Sequence, residues 1–253
     1  MSEATPAPLS RHDFVEWLRR EGEQRYHDLH PFHRRMHEGS LSPSELQRWV
    51  LNRYYYQTRI PIKDALILAK SEDPAFRRSW IHRLRDHDGE RDGEGGLEQW
   101  LVLAEGVGLD RELVRSTRAV LPGVRFACDA YVDLVRERSL LEAVASSLTE
   151  FFAPDLMSRR IEAWERHYPW VNPETLQYFR TRVVRARRDS EAAVDYVVAN
   201  ARTYELQSRA VEALVRKTEI LWHLLDSVAA AGHQEHSSAA VSDVVNSGQG
   251  PLP

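Results

Sequence analysis

The sequence predicts an all-α protein, on three observations. Apolar residues recur every three to four positions along most of the chain, the spacing that lines one face of a helix. Alternating strand patterns are scarce. Helix starts are marked by side chains able to accept from the free amides of a first turn, often with proline at the first helical position.

Taken in order, the expected helices cover residues 11–22, 43–70, 74–88, 95–107, 122–137, 139–151, 154–168, 173–187 and 190–230, the last as one helix or two. Ser10 with Asp13 caps the first. Ser42-Pro43-Ser44-Glu45 forms a capping box for the second, within which Pro61 bends or breaks the helix, because it lacks an N–H and crowds the preceding turn. Asp73-Pro74 and Asn172-Pro173 repeat the cap-then-proline pattern, and Ser139 with Glu142 is a second capping box. Gly89, Gly93, Gly95 and Gly96, set among acidic residues, read as a loop. Residues 1–9 and 232–253 lack an apolar face and read as disordered ends, which leaves 10–231 as a single helical catalytic domain.

Composition narrows the function. The 253 residues are 42% hydrophobic and 28% charged, which suits a globular domain with room for a polar interior. A net charge of -4 argues against a general nucleic-acid binder. Cys128 is the one cysteine, so an intrachain disulfide and a thiolate metal cluster are both excluded. The first eleven residues carry no secretory core, and no apolar run approaches the roughly eighteen residues of a membrane span. A cytoplasmic enzyme is the expectation. The cations are almost all arginine; Lys63, Lys70 and Lys217 are the only lysines, as if a compact ammonium were kept where one is needed.

Polar groups fall on narrow stripes beside aromatic ones. With about 100° per residue, Arg53, Tyr56, Gln57 and Lys63 share an arc of roughly 120°. Arg83 and His87 lie one turn apart, as do Tyr178 and Arg182, and Arg160 follows Glu150-Phe151-Phe152. Any one such pair is compatible with a solvated helix face. Pooled, and turned inward, they line a cationic cavity for a polycarboxylate small molecule. His27, His30, His33 and His37 cluster in sequence and leave haem or non-haem iron ligation open, although no Glu-x-x-His pair of the di-iron bundles is present. Trp49, Trp100, Trp164 and Trp222 read as core packing. No phosphate loop, Gly-x-Ser-x-Gly or cysteine nucleophile motif occurs.

Several segments together resemble the pyrroloquinoline-quinone synthase family. They are Tyr26-His27 with His30-Pro31, Asn52-Arg53-Tyr54-Tyr55-Tyr56-Gln57-Thr58 leading to Ile60-Pro61 and Lys63-Asp64, and Asp86-His87-Asp88-Gly89. Leu121-Pro122-Gly123-Val124-Arg125-Phe126-Ala127 with Asp129-Ala130-Tyr131 follows, then Ser146-Ser147-Leu148-Thr149-Glu150 with Phe152-Ala153-Pro154, and His167-Tyr168-Pro169-Trp170. The resemblance spans about residues 11–230 in order. It implies a compact helical bundle of the haem-oxygenase-like type and a homodimer. It also implies the reaction: ring closure and eight-electron oxidation of a bicyclic precursor by O2, giving pyrroloquinoline quinone (PQQ) and H2O2, with no metal and no organic redox cofactor. The family's ligand-binding positions fall on Tyr26, His27, Arg53, Gln57, Lys63, Arg83, Tyr131, Glu150, Arg160 and Lys217. Its proton-transfer histidine falls on His87, and Tyr178 and Arg182 match positions that shape the oxygen pocket. Where the family has a histidine in that pocket this chain has Met157, which can neither transfer a proton nor donate a hydrogen bond. Two other readings stay open: a haem-degrading enzyme with His27 or His30 as axial ligand, and a carrier that holds the quinone without making it.

Overall fold

A computed structural model describes residues 6–247, with side chains through residue 232. Eleven α-helices make up these residues: α1 Arg11–Glu23, α2 Pro31–His37, α3 Pro43–Ala69, α4 Pro74–Asp88, α5 Gly95–Gly106, α6 Arg111–Arg115, α7 Pro122–Glu137, α8 Leu140–Ala145, α9 Ala153–His167, α10 Gln177–Asn200 and α11 Tyr204–Ser247. Short 3-10 turns cover His27–Leu29, Ser146–Phe152 and Pro173–Leu176, and no strand occurs among the described residues.

The expected caps form. Ser42 and Glu45 bond reciprocally at the start of α3, and Ser139 and Glu142 do the same before α8. Asp73 accepts from two amides of α4. Pro61 does not break α3, which runs unbroken from Pro43 to Ala69.

Three expected helix bounds need correction. The stretch 139–151 is helical only to Ala145 and then tightens into the 3-10 segment. Asn172 caps a single 3-10 turn before α10 begins at Gln177. The expected boundary near 188–190 lies inside α10, where Asp189 and Ser190 are buried. The true break follows Asn200, and Thr203 caps the next helix by accepting from the amide of Leu206 at 3.2 Å. Leu9, expected in a disordered end, is tied to α11 by two hydrogen bonds with the Gln207 side chain. The helix α11 continues beyond residue 231 as far as Ser247; residues 1–5, residues 248–253 and the side chains from 233 onward lie outside the described part.

Helix α3 packs against α4, α5 and α7, while α11 lies along α7, α8 and the 3-10 segment, and α10 pairs with α9. Trp49, Trp80, Trp100 and Trp164 are fully buried where these helices meet, as core packing predicts. Trp222 is only half-buried, its ring against His30. Gly22 of α1 lets the Phe152 ring press onto the helix backbone, since a Cβ at this position would sit 2.5 Å from that ring. That contact pins the end of the 3-10 segment, which forms one wall of the interior cavity described next.

Candidate active site

The bundle encloses a cavity of about 60 Å³. Its wall combines Tyr26 and His27, then Arg53, Tyr56, Ile60 and Lys63 from α3, Tyr131 from α7 and Glu150 from the 3-10 segment. Met157 from α9 and Tyr178 and Arg182 from α10 complete it. Eight of the thirteen expected site residues therefore line one hollow. The arc on α3 turns inward as its periodicity requires, because that face is the one buried against neighbouring helices.

Of the other five, Gln57, Arg83 and Lys217 contact wall residues, while His87 and Arg160 bond to groups outside the lining. Gln57 accepts a hydrogen bond of 2.7 Å from the Tyr178 hydroxyl. Arg83 donates to Glu150 at 2.6 Å and to the Asp189 carbonyl at 2.5 Å, its guanidinium lying 3.9 Å from the Trp80 ring centroid. His87 is buried with Nδ1 3.1 Å from the Arg83 carbonyl. A carbonyl can only accept, so Nδ1 carries the proton and Nε2 is a bare lone pair without a hydrogen-bond partner. Arg160 sits 4.8 Å from the Trp49 ring and 3.3 Å from His33 Nε2. Lys217 is fully buried, its Nζ 3.1 Å over the Tyr131 ring and 4.3 Å from Tyr56.

Charge is unevenly matched here. Lys63 pairs with Asp64 at 2.7 Å and donates to Ser147 at 3.0 Å; burial weakens its proton affinity, but Asp64, Tyr131 and Glu150 together outweigh that and raise it. Glu150 is shared by Arg83 and Arg182, which overcome the cost of burial and hold its carboxyl below the usual range. Asp189 sits 3.7 Å from Arg182. Arg53, Arg160 and Lys217 have no carboxylate partner among the described residues of the site. One buried nitrogen in each, Arg53 Nη1, Arg160 Nε and Lys217 Nζ, lacks any hydrogen-bond acceptor. Burial first, and Arg53 second, push Lys217 well below its ordinary value, and the same causes lower Arg160. Burial, then Arg182, lowers His87 to about 3, so its imidazole is neutral. Six basic groups thus face three carboxylates, and holding charge on the unmatched ones is costly unless a guest supplies the missing anion.

Sequence reasoning missed Asp64 as the partner of Lys63, Ser147 as its acceptor and Asp189 as the second anchor of the arginines. Asp189 lies two turns after Arg182 on the same face of α10, a spacing that was there to be used. Of the histidines open to haem ligation, His30 has both ring nitrogens engaged, one by the Phe32 amide at 3.0 Å and the other by Asp226 at 3.0 Å. His27 remains on the cavity wall.

The chain matches the model of the TENA/THI-4/PQQC family over residues 17–227. It is 50% identical to the pyrroloquinoline-quinone synthase of Rhodopseudomonas palustris TIE-1 over 223 residues, covering 88% of each chain. It is 52% identical to the same-named protein of Acidiphilium cryptum JF-5 over 211 residues, 83% of this chain and 86% of that one. With the bifunctional coenzyme PQQ synthesis protein C/D of Methylorubrum extorquens it shares 49% identity over 220 residues, 87% of this chain but 59% of the longer protein. The fold superposes on a Shewanella denitrificans domain of unknown function with a heme oxygenase-like fold, with a TM-score of 0.73 at 14% identity, covering 90% and 96% of the two chains. A TenA homologue of P. horikoshii matches with a TM-score of 0.63 at 14% identity, over 85% of this chain and 97% of that one. With its residues 17–227 matched end to end, this chain belongs to the TENA/THI-4/PQQC family.

Proposed function

We propose that this enzyme of PQQ biosynthesis closes and oxidises the last ring of the cofactor, using O2 as acceptor and no metal or organic redox group. The observation that carries the reading is the surplus of buried cations around an enclosed hollow. Three buried basic groups without carboxylates call for a guest with several negative charges, as a polycarboxylate precursor has.

In this reading Arg53, Arg160 and Lys217 take the guest's carboxylates, while Lys63, Arg83 and Arg182, already paired, set the shape of the site. Tyr26, His27, Gln57 and Tyr131 orient the ring system, and Tyr178 with Arg182 borders the space where O2 is reduced. His87 removes a proton through the bare lone pair of Nε2 and returns it later, as general base and acid. An electron-rich quinol intermediate reduces O2 itself, each O2 that leaves as H2O2 taking two electrons and two protons. The protein supplies position and electrostatics. A cavity of about 60 Å³ is far below the roughly 300–1,000 Å³ of sites that enclose such ligands, so the wall moves outward to admit the guest and closes over it.

The test is anaerobic mixing with the precursor followed by a pulse of O2, followed by absorbance with a peroxide assay. A spectral change on mixing and a second one with peroxide after O2 are expected. Binding without any oxidation would make the protein a carrier. A stoichiometric haemin Soret shift abolished by His27→Ala would make it a haem protein.

A further inference from the structure

Protons must cross the wall of this site, and three imidazoles lie in file along one way out. His27 lines the cavity. Its ring centroid is 4.9 Å from that of His33, which in turn is 6.1 Å from that of His37. His27 and His33 are almost wholly buried, at 2% and 1% exposure, whereas His37 is half-buried and borders an outer groove shared with Arg166 and His167. Nδ1 of His27, Nδ1 of His33 and Nε2 of His37 are all buried and without hydrogen-bond partners. We propose that His27, His33 and His37 form a proton relay joining the cavity to this outer groove.

The chemistry of the three rings suits the task. A neutral imidazole has one donor and one acceptor, so it takes a proton on one nitrogen as it releases one from the other, with no change in net charge. The buried part of the file faces cations, Arg53 and Arg160 beside His27 and His33 with Lys217 also near His27, while His37 meets Arg159 and Arg160 and shares its groove with Glu162 and Glu165. After burial, these cations are what keep the rings neutral. A second chain of polar groups also reaches the surface, from Glu150 through Arg83 and Arg182 to Asp189 and the half-exposed Arg188. Its links are guanidiniums, which do not give up their protons, so it holds charge in place and conducts poorly.

Arg160 sets the state of the middle ring. Its Nη2 donates to His33 Nε2 at 3.3 Å, which leaves the His33 proton on Nδ1 and one nitrogen occupied. That bond is long, and an anion in the cavity competes for the same guanidinium. When Arg160 turns to the anion, His33 has a free nitrogen for each neighbour, so filling the site opens the path that the reaction needs. The need for proton export rests on the proposed oxidase function; the path itself does not.

The test separates the two. Exchange of the His27 ring N–H with D2O is followed by 15N NMR in the parent, in His37→Leu and in His33→Phe, each with and without bound PQQ, with thermal melts to confirm folding. PQQ is expected to speed exchange at His27 in the parent, and with PQQ bound either cut is expected to slow it by about tenfold or more. Equal exchange rates in the parent and His37→Leu with PQQ bound would overturn the relay. In the oxygen-pulse assay, His37→Leu is expected to oxidise the precursor more slowly and to recover with added imidazole. A parent that binds PQQ but never oxidises the precursor would defeat the oxidase reading and leave the exchange result to decide the relay.

Discussion

Glu150 is shared by Arg83 and Arg182, and replacing it with glutamine tests the electrostatic account. The change keeps the shape and an acceptor oxygen but removes the charge opposite Arg83 at 2.6 Å and Arg182 at 3.3 Å. Taking away one partner of a buried ion pair costs about 3–5 kcal/mol. Both arginines retain Asp189, Arg83 through its carbonyl at 2.5 Å and Arg182 through its carboxylate at 3.7 Å, which places the loss at the low end, about 3 kcal/mol. For a domain of this size that lowers Tm by about 6–12 °C. The pH dependence gives a second signature. The folded carboxyl titrates below its ordinary 4.5, so its contribution is complete above pH 4.5 and is lost as pH falls below it. Urea unfolding of parent and Glu150→Gln from pH 7 to pH 3 should show a gap that is widest at neutral pH and narrows in acid. A gap under about 1 kcal/mol at pH 7, or one that ignores pH, would refute the shared ion pair as a determinant of the site.

Three further outcomes are expected. His87→Ala should leave PQQ affinity nearly unchanged and cut single-turnover oxidation by about a hundredfold, the usual share of a general base; parent-like rates would remove His87 from the mechanism. Met157→His should speed the step after O2 is added, because it places a proton donor on a wall that now has only a thioether there; stopped-flow absorbance checks this, and an unchanged rate would show that Tyr178 and Arg182 suffice. The neutral buried imidazoles make the fold acid-labile: His87 titrates at about 3 and His37 at about 4, against 6.5 for a free ring. Below pH 6.5 the unfolded chain binds more protons, so stability falls with pH, and the slope should be shallower in His87→Ala, as read from urea midpoints between pH 8 and pH 4.

The sequence carried the parts of this account that depend on local pattern. Ser42, Asp73 and Ser139 announce their helices because capping needs only residues within one turn. The α3 arc was legible because thirteen of its residues are buried and the inward face repeats with the helix period. Lysine sparing was informative too: Lys63 and Lys217 are the buried pair, while Lys70 is a surface group that donates to the carbonyls of Arg136 and Arg138 at the end of α7. What escaped depends on tertiary partners. The change from α8 to 3-10 geometry leaves an apolar pattern that either helix satisfies. His30 caps α2 through an imidazole, an unusual N-cap, so that helix went unseen. Asp189 looks like a surface acid until Arg83, 106 residues away, donates to its carbonyl.

The bonds that hold the cavity shut are made to the cations that a guest would claim. Ser147 and Glu150 anchor the 3-10 segment through Lys63, Arg83 and Arg182, and the ring of Phe152 against Gly22 fixes its far end. A 3-10 helix has poorer hydrogen-bond geometry than an α-helix, so this segment depends on side-chain anchors more than its neighbours do. A polyanion entering the hollow competes with Glu150 for the arginines and supplies Arg53, Arg160 and Lys217 with the charge they lack. The same act loosens the wall and relieves the buried cations, so the free energy of anion binding and the work of enlarging a 60 Å³ space are coupled through one set of residues. That coupling explains how so small and so basic a hollow can exist in a stable fold: three basic groups lack carboxylates, burial weakens the proton affinity of Lys217 and Arg160, and the remaining three cations hold the wall in place until a guest arrives.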